Sequence, residues 1–492
     1  MTSAAAPARP SDDRADALVF FGATGDLAYK QIFPALQALV QRHGFGLPIV
    51  GVAKAGWTLE QLHARARASL EERGTVEEAE FARLASLLRY VDGDYRDRDT
   101  FRRLRAALGA ARRPLHYLAI PPSLFTAVAE GLADAGCAAG ARVVVEKPFG
   151  RDAASARALN ATLHRFFDER AIFRIDHFLG REAVQNILYT RFANSILEPL
   201  WNRTYVRSVQ VMLAESFGVQ GRGRFYEETG AIRDVIQNHL LQVLACLAMD
   251  PPTGEADAVR DEKARLLKAV RPLAPADVVR GQFRGYRDEP GVAPGSQVET
   301  FAAVRLAIDS WRWAGVPFYI RSGKCLPVTA DEVRVEFRRP PRRTFEDRVD
   351  ASPNHLRLQL SPEVMIALGL RVKLAGERML GEPVSLVATH QRGDEMMPYE
   401  RLLGDALRGD STLFAREDAV EAQWRIVDPV LGDATPLHEY APGTWGPPEA
   451  DRLIAADGGW FNPEASALGG AREIRRSVSS PPAEPRPATR TR

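Results

Sequence analysis

The feature that most restricts what this chain can fold into is a change of period along it. Through roughly the first 180 residues, short apolar runs alternate with helical stretches, the rhythm of a parallel sheet wrapped by helices. The segments ALVFFG, PIVGVA, PLHYLAI and ARVVVEK read as buried strands, because they are apolar, rich in β-formers and closed by Gly, Pro or charge. LEQLHARARASLEER and SLFTAVAEGLADAG, lying between them, read as helices. Beyond about residue 195 the texture differs: VRSVQVML, TFAAVRLAI, EVRVEF, HLRLQL and PVSLVAT are short and mostly alternating. They predict an antiparallel sheet with unlike faces, interrupted by helices over 234–248 and 257–270. The expected class is a nucleotide-binding-like α/β domain followed by a larger α+β domain.

The expected division is an arm over 1–16, an α/β domain over 17–180, an α+β domain over 181–465 and a tail over 466–492. The two ends are Ala/Pro/charge-rich or Ser/Pro/Arg-rich, and such compositions bury too little apolar surface to order themselves. With 492 residues and a net charge of +2, the chain has room for two or three domains and no global charge that would draw it to nucleic acid or an anionic membrane. Its three cysteines, Cys137, Cys246 and Cys325, form no CxxC and no Cys/His metal spacing. A reducing cytoplasm and no bound metal are therefore expected. No apolar run reaches signal-peptide or membrane-spanning character.

Five short stretches carry chemistry. LVFFGATGDLAYK sets Gly22 and Gly25 between a buried strand and a helix, where glycine admits a tight turn and lets backbone amides approach a pyrophosphate. The spacing is GxxGxL rather than GxGxxG, so glycines serving packing alone are an equal alternative. The second strand ends in Lys54 without the acid that would hold a ribose 2′-hydroxyl, which favours a 2′-phosphate and hence NADP; a solvated surface lysine is the alternative. VVVEKPFG places Lys147 at a strand's carboxyl end, the edge where open α/β sheets bind ligands, or where a lysine simply caps the strand.

In FRIDHFLGRE, Asp176 and His177 close a short strand and Arg181 follows. If the turn at Gly180 is already helical, His177 and Arg181 share a face and can hold a phosphate; a surface ion-pair network is the alternative. GAIRDVIQNHLLQVLACLA is an amphipathic helix with His239 at the edge of its apolar stripe and Asp234 and Asn238 nearby. Removing hydride from a hydroxyl-bearing carbon needs a base for the hydroxyl proton, and a carboxylate behind an imidazole would orient it. Sequence alone does not join Asp176 to His239. RSGKC resembles a phosphate loop but has Phe318 where the upstream glycine belongs, and neither a GxSxG elbow nor an HExxH pair is present.

Taken in order, FFGATGDLA, VVEKPFG, RIDHFLGRE, RDVIQNHLLQ, WRWAGVPFYIRSGK, PYERLL and LFAREDAVEAQW resemble the glucose-6-phosphate dehydrogenase family, nearest its actinobacterial-type branch. The resemblance implies a Rossmann-like N-terminal domain, a C-terminal domain with a large, mainly antiparallel sheet, and a homodimer or dimer of dimers. It implies oxidation of D-glucose 6-phosphate at C1 with hydride passing to NADP. By motif position His239 matches the general base and Asp176 its partner. His177 and Arg181 match phosphate-binding positions, Glu215 and Asp234 match residues on sugar hydroxyls, Lys324 matches a substrate lysine, and Lys147 matches a lysine near both substrate and nicotinamide. Gly22, Ala23, Thr24, Gly25, Asp26 and Leu27, with Lys54, match the cofactor site.

Four departures from the family pattern bear on affinity. The chain has DHFLGR where DHYLGK is common, so Phe178 lacks a phenol and Arg181 replaces a lysine. Thr329 stands where a second lysine often follows RSGK, Gln31 follows Lys30 where the loop commonly reaches a lysine, and Lys54 replaces an arginine. Each hydrogen bond lost to a charged group costs about 1.5–3 kcal/mol. Two alternatives follow: a dehydrogenase of another sugar phosphate, and a nucleotide-binding regulatory paralogue without turnover.

Overall fold

The computed structural model describes residues 14–254, 257–342, 345, 353–389 and 395–463. Six strands form a parallel sheet: β1 (Ala17–Phe21), β2 (Ile49–Ala53), β3 (Leu88–Asp92), β4 (Pro114–Leu118), β5 (Arg142–Glu146) and β6 (Ile172–Ile175). Their order is β3-β2-β1-β4-β5-β6, so the winding reverses between β1 and β4, and a crevice opens there at the strands' carboxyl ends. Strand alternation sends Val19 and Phe21 into one core and Leu18 and Phe20 into another, which is why helices cover both faces. Helix boundaries follow local chemistry. Thr58 and Gln61 close a capping box on Leu59–Glu71, and Gly44 ends Phe33–His43 in the left-handed region at φ 62°.

The second sheet holds β7 (Val206–Ala214), β8 (Val278–Phe283), β9 (Phe301–Leu306), β10 (Phe318–Gly323), β11 (Ala330–Phe337), β12 (His355–Ser361), β13 (Met365–Lys373), β14 (Gly381–Thr389) and β15 (Leu437–Tyr440). Its order is β14-β13-β12-β11-β7-β10-β9-β8-β15. The expected antiparallel pattern dominates, but β7 lies parallel to β10 and β8 parallel to β15. Such pairs need long connections, and the β7–β10 link carries the helices that include His239. On β7, Val209, Val211 and Leu213 face the core shared with β5 and with Ile236, whereas Met212 and Ala214 face a smaller core with Phe301 and Tyr440. One continuous apolar core therefore joins the two halves and fixes the second half's helices over the first half's strand ends.

Ala15 and Asp16, expected in the N-terminal arm, are tied down instead. Ala15 donates its amide to the Leu407 carbonyl, and the Asp16 carboxylate accepts from the Arg112 and Arg113 amides. Residues 1–13 of that arm and 464–492, with the expected tail, lie outside the described residues.

Candidate active site

Asp176 follows β6 directly, and a turn rather than a helix carries the chain from there to Arg181. The helix Glu182–Ala193 begins only after Arg181, whose ψ of 131° is extended. The shared helical face expected for His177 and Arg181 therefore does not form. The turn instead folds Asp176 inward, where its Oδ1 accepts from the Phe178 amide at 3.1 Å.

His239 arrives from the other half on Ile232–Leu240, which is wound as a π-helix. In π geometry, residues five apart are joined by i→i+5 bonding. Asp234 and His239 are five apart, and both reach Lys147. Gly230 (φ 65°, ψ 175°) kinks the chain before this helix, and the Ile232 amide there donates to the buried Glu299 carboxylate at 3.1 Å. Sequence periodicity, fitted to 3.6 residues per turn, had no means of registering the wider winding.

The two elements meet at His239, which is 3% exposed. Its Nδ1 lies 2.5 Å from Asp176 Oδ1, and its Nε2 lies 2.9 Å from the Lys147 ammonium. The carboxylate accepts from Nδ1–H, and the ammonium donates to the Nε2 lone pair, so one tautomer is favoured. Lys147 also donates to the Asp234 carbonyl at 2.9 Å and to Asp234 Oδ1 at 3.1 Å. Burial lowers the His239 pKa from 6.5, partly offset by Asp176, and so favours the neutral imidazole. Burial opposes ionisation of Asp176 as well, but His239, His177 and Lys147 outweigh it and hold the carboxyl well below its usual range. Asp234 is likewise lowered against its burial, chiefly by Lys147. The arrangement can take a proton at Nε2 and stabilise the imidazolium that results.

The remaining sequence-predicted residues fall around this centre. Lys324, at the end of β10, donates to Glu215 Oε2 at 2.5 Å, and its ammonium stands 5.1 and 5.3 Å from the ring centres of Phe217 and Tyr226. His177 places its ring 4.7 Å from that of His239, and burial with neighbouring positive charge pushes its pKa down to about 3. Phe178 stacks on His239 at 4.3 Å and 15° and also lies under the Arg181 guanidinium at 4.6 Å. Arg181 Nη1 donates to Asp331 Oδ2 at 2.7 Å. Asp331 was absent from the sequence reading, as was Phe178's contact with His239; Glu146, named there only as closing a strand, is half-buried and accepts from the Tyr117 hydroxyl, and desolvation raises its pKa to about 7. Nothing in the sequence signalled Asp331, because it is 150 residues from Arg181.

At the crevice, the loop 22–27 runs from β1 into a helix beginning at Asp26. Gly22 sits at φ 80°, where an added Cβ would strike the Ala119 carbonyl, and its amide donates to Val52 and to the Tyr95 hydroxyl. Packing thus accounts for Gly22, while Ala23 is buried and Gly25 donates to the Gly22 carbonyl. The amides of Asp26 and Leu27, at the start of the helix, have no carbonyl of their own helix to meet, and Thr24 lies at the same mouth, so the loop fits an anionic dinucleotide. Lys54 follows β2 as expected, but its ammonium is paired with Asp94 at 2.7 Å. No helix among the described residues is long and apolar enough to cross a membrane.

Comparison with known proteins matches residues 19–186 to the family model for the glucose-6-phosphate dehydrogenase NAD binding domain and residues 188–462 to that for its C-terminal domain. The chain is 44% identical over 455 residues to glucose-6-phosphate 1-dehydrogenase 1 of Mycobacterium tuberculosis strain CDC 1551, covering 91% of this chain and 96% of that one. It superposes on the crystal structure of the Mycobacterium avium glucose-6-phosphate 1-dehydrogenase with a TM-score of 0.86 at 45% identity, over 92% of this chain and 99% of the other. A glucose-6-phosphate dehydrogenase in complex with its substrate glucose 6-phosphate gives a TM-score of 0.85 at 34% identity, with the same coverage.

Proposed function

This chain belongs to the glucose-6-phosphate dehydrogenase family, and on that premise we propose that it oxidises D-glucose 6-phosphate at C1 to 6-phospho-D-glucono-1,5-lactone, the entry step of the oxidative pentose phosphate pathway. The observation that carries the reading is His239, held between Asp176 at Nδ1 and the Lys147 ammonium at its basic Nε2. Bound NADP supplies the hydride acceptor. At C1 the C–H bond breaks with its electron pair, the hydroxyl proton passes to His239 Nε2, and the C–O bond becomes the lactone carbonyl. Asp176 fixes the ring and offsets the charge it gains. Lys147 stands where the C1 hydroxyl must come, and moves aside to donate to that oxygen. Glu215 and Asp234 bind sugar hydroxyls, Lys324 binds the substrate, and His177 and Arg181 hold the phosphate.

The cofactor is read as NADP, bound by Gly22, Ala23, Thr24, Gly25, Asp26, Leu27, Lys54 and Lys147. Support comes from Lys54 at the end of β2 and the absence of an acid at that position. We place the protein in the cytoplasm as a homodimer or dimer of dimers. Support for the compartment is chemical: all three cysteines are free. The test is absorbance at 340 nm with purified protein, glucose 6-phosphate or other sugar phosphates, and NADP⁺ or NAD⁺. Saturating reduction with glucose 6-phosphate and NADP⁺ is expected. A higher kcat/KM for another sugar phosphate, or nucleotide binding without turnover, would overturn the reading.

A further inference from the structure

The substrate cleft contains three cations assigned to the ligand, and each already faces a carboxylate. Lys147 is 3.1 Å from Asp234, Lys324 is 2.5 Å from Glu215, and Arg181 is 2.7 Å from Asp331. With Asp176 on His239, four carboxylates oppose three cations, and burial disfavours the charged form of both imidazoles. This is an unusual reception for a phosphate dianion. The first two carboxylates have work on sugar hydroxyls. Asp331, on β11, has no such assignment.

Asp331 is also held in place. It is 7% exposed, and the register of β11 against β12 shifts between Asp331 and Glu332, a bulge of the kind that re-aims a side chain. Thr329, two residues earlier, adds no charge. Its hydroxyl accepts from the Ser216 amide at 3.0 Å and lies 2.8 Å from the Ser216 hydroxyl. Arg181 is the cation read as serving the phosphate, and its Nη1 is occupied. Its position over Phe178 at 4.6 Å limits how far the guanidinium can turn to present another edge.

We propose that Asp331 is a specificity-determining residue: it competes with the substrate's phosphate for Arg181 and so weakens the enzyme's grip on a phosphorylated sugar. The proposal rests on the reading of Arg181 as the phosphate-holding residue. A guanidinium can bind carboxylate or phosphate through the same fork. Every substrate molecule must therefore either displace Asp331 or share Arg181 with a like charge.

Steady-state kinetics of the full chain tests this with Asp331→Asn, which keeps the shape and removes the charge, and with Asp331→Ser as a second neutral variant. In at least one of them, KM for glucose 6-phosphate is expected to fall about tenfold or more, with the effect on KM rather than on kcat. An unchanged KM in both variants overturns the proposal, and a raised KM overturns it too, by showing that the carboxylate positions Arg181 for the phosphate. Arg181→Ala separates the two readings. If it raises KM while the Asp331 variants do not lower it, only this proposal fails; if it leaves KM unchanged, the assignment of Arg181 to the phosphate fails first.

Discussion

Around His239 each charged neighbour fits the proton transfer proposed above, whereas around Arg181 the neighbour occupies the guanidinium proposed to hold the ligand. Asp176 and Lys147 meet opposite nitrogens of one imidazole at 2.5 and 2.9 Å, and together they settle its tautomer before any substrate arrives. Arg181 is equally well held, but by an anion that resembles the group it is expected to bind. Preorganisation helps catalysis when the site's dipoles point at charge that develops in the transition state. The same rigidity opposes binding when the partner is a competitor. The difference teaches that one cleft can be optimised for turnover at one end and left weak in affinity at the other.

That contrast breaks most severely at His239. In His239→Asn, kcat is expected to fall by about 10²–10⁴-fold, while NADP⁺ affinity measured by fluorescence titration holds. Near-normal turnover would remove the base from the scheme. Asp176→Asn comes next, at about 10²-fold in kcat, because the amide no longer accepts from Nδ1–H with a full charge.

The pH profile sharpens the same point. His239 must be unprotonated at Nε2, and its pKa is lowered from 6.5, so kcat/KM stays high as pH falls through 6.5 and is lost only below it. Asp176 is the strongest influence raising that pKa, so Asp176→Asn should move the acid limb further down. An acid limb above 6.5 in the unaltered chain would contradict the burial argument.

The smallest effect is expected at the cofactor end, where Lys54 and Asp94 form an exposed pair. Lys54→Ala should raise KM for NADP⁺ by about fivefold or less and narrow the preference over NAD⁺, and Asp94→Asn should shift both the other way. A larger loss would mean that Lys54 meets the 2′-phosphate in a drier setting than the pair now shows.

How much of this was legible in the sequence depended on the distance over which each feature is built. The strands β1 and β2 are continuous apolar runs, and β4, β5 and β6 are mostly apolar with only His116, Arg142, Glu146 and Arg174 interrupting them, so their sheet follows from local pattern. β3 escaped because it lies at the sheet edge, and Arg89 and Tyr90 interrupt its burial. In the second sheet, β8 and β10 bury Arg280, Gln282, Arg321 and Ser322, polar residues that a hydrophobic pattern cannot assign to a core. Strand ends and helix pattern picked out Lys147, Asp176, His177, Arg181, Asp234 and His239, while the family resemblance supplied their roles and added Glu215 and Lys324. Even so, the resemblance carried no information on the Arg181–Asp331 and Lys54–Asp94 pairs, because each joins segments whose contact is set by tertiary packing. The π-helix was hidden for a different reason: one extra residue per turn leaves no compositional trace in IRDVIQNHL.

The most direct test of the division between the two ends is one set of saturation curves for glucose 6-phosphate with the unaltered chain, His239→Asn and Arg181→Ala, read as NADPH absorbance at 340 nm. The expected result is a split: His239→Asn loses kcat with KM little moved, and Arg181→Ala raises KM by about ten- to a hundredfold with kcat largely kept. If Arg181→Ala lost kcat as severely as His239→Asn and left KM alone, the two ends would not be separate devices, and the account given for the cleft would be wrong.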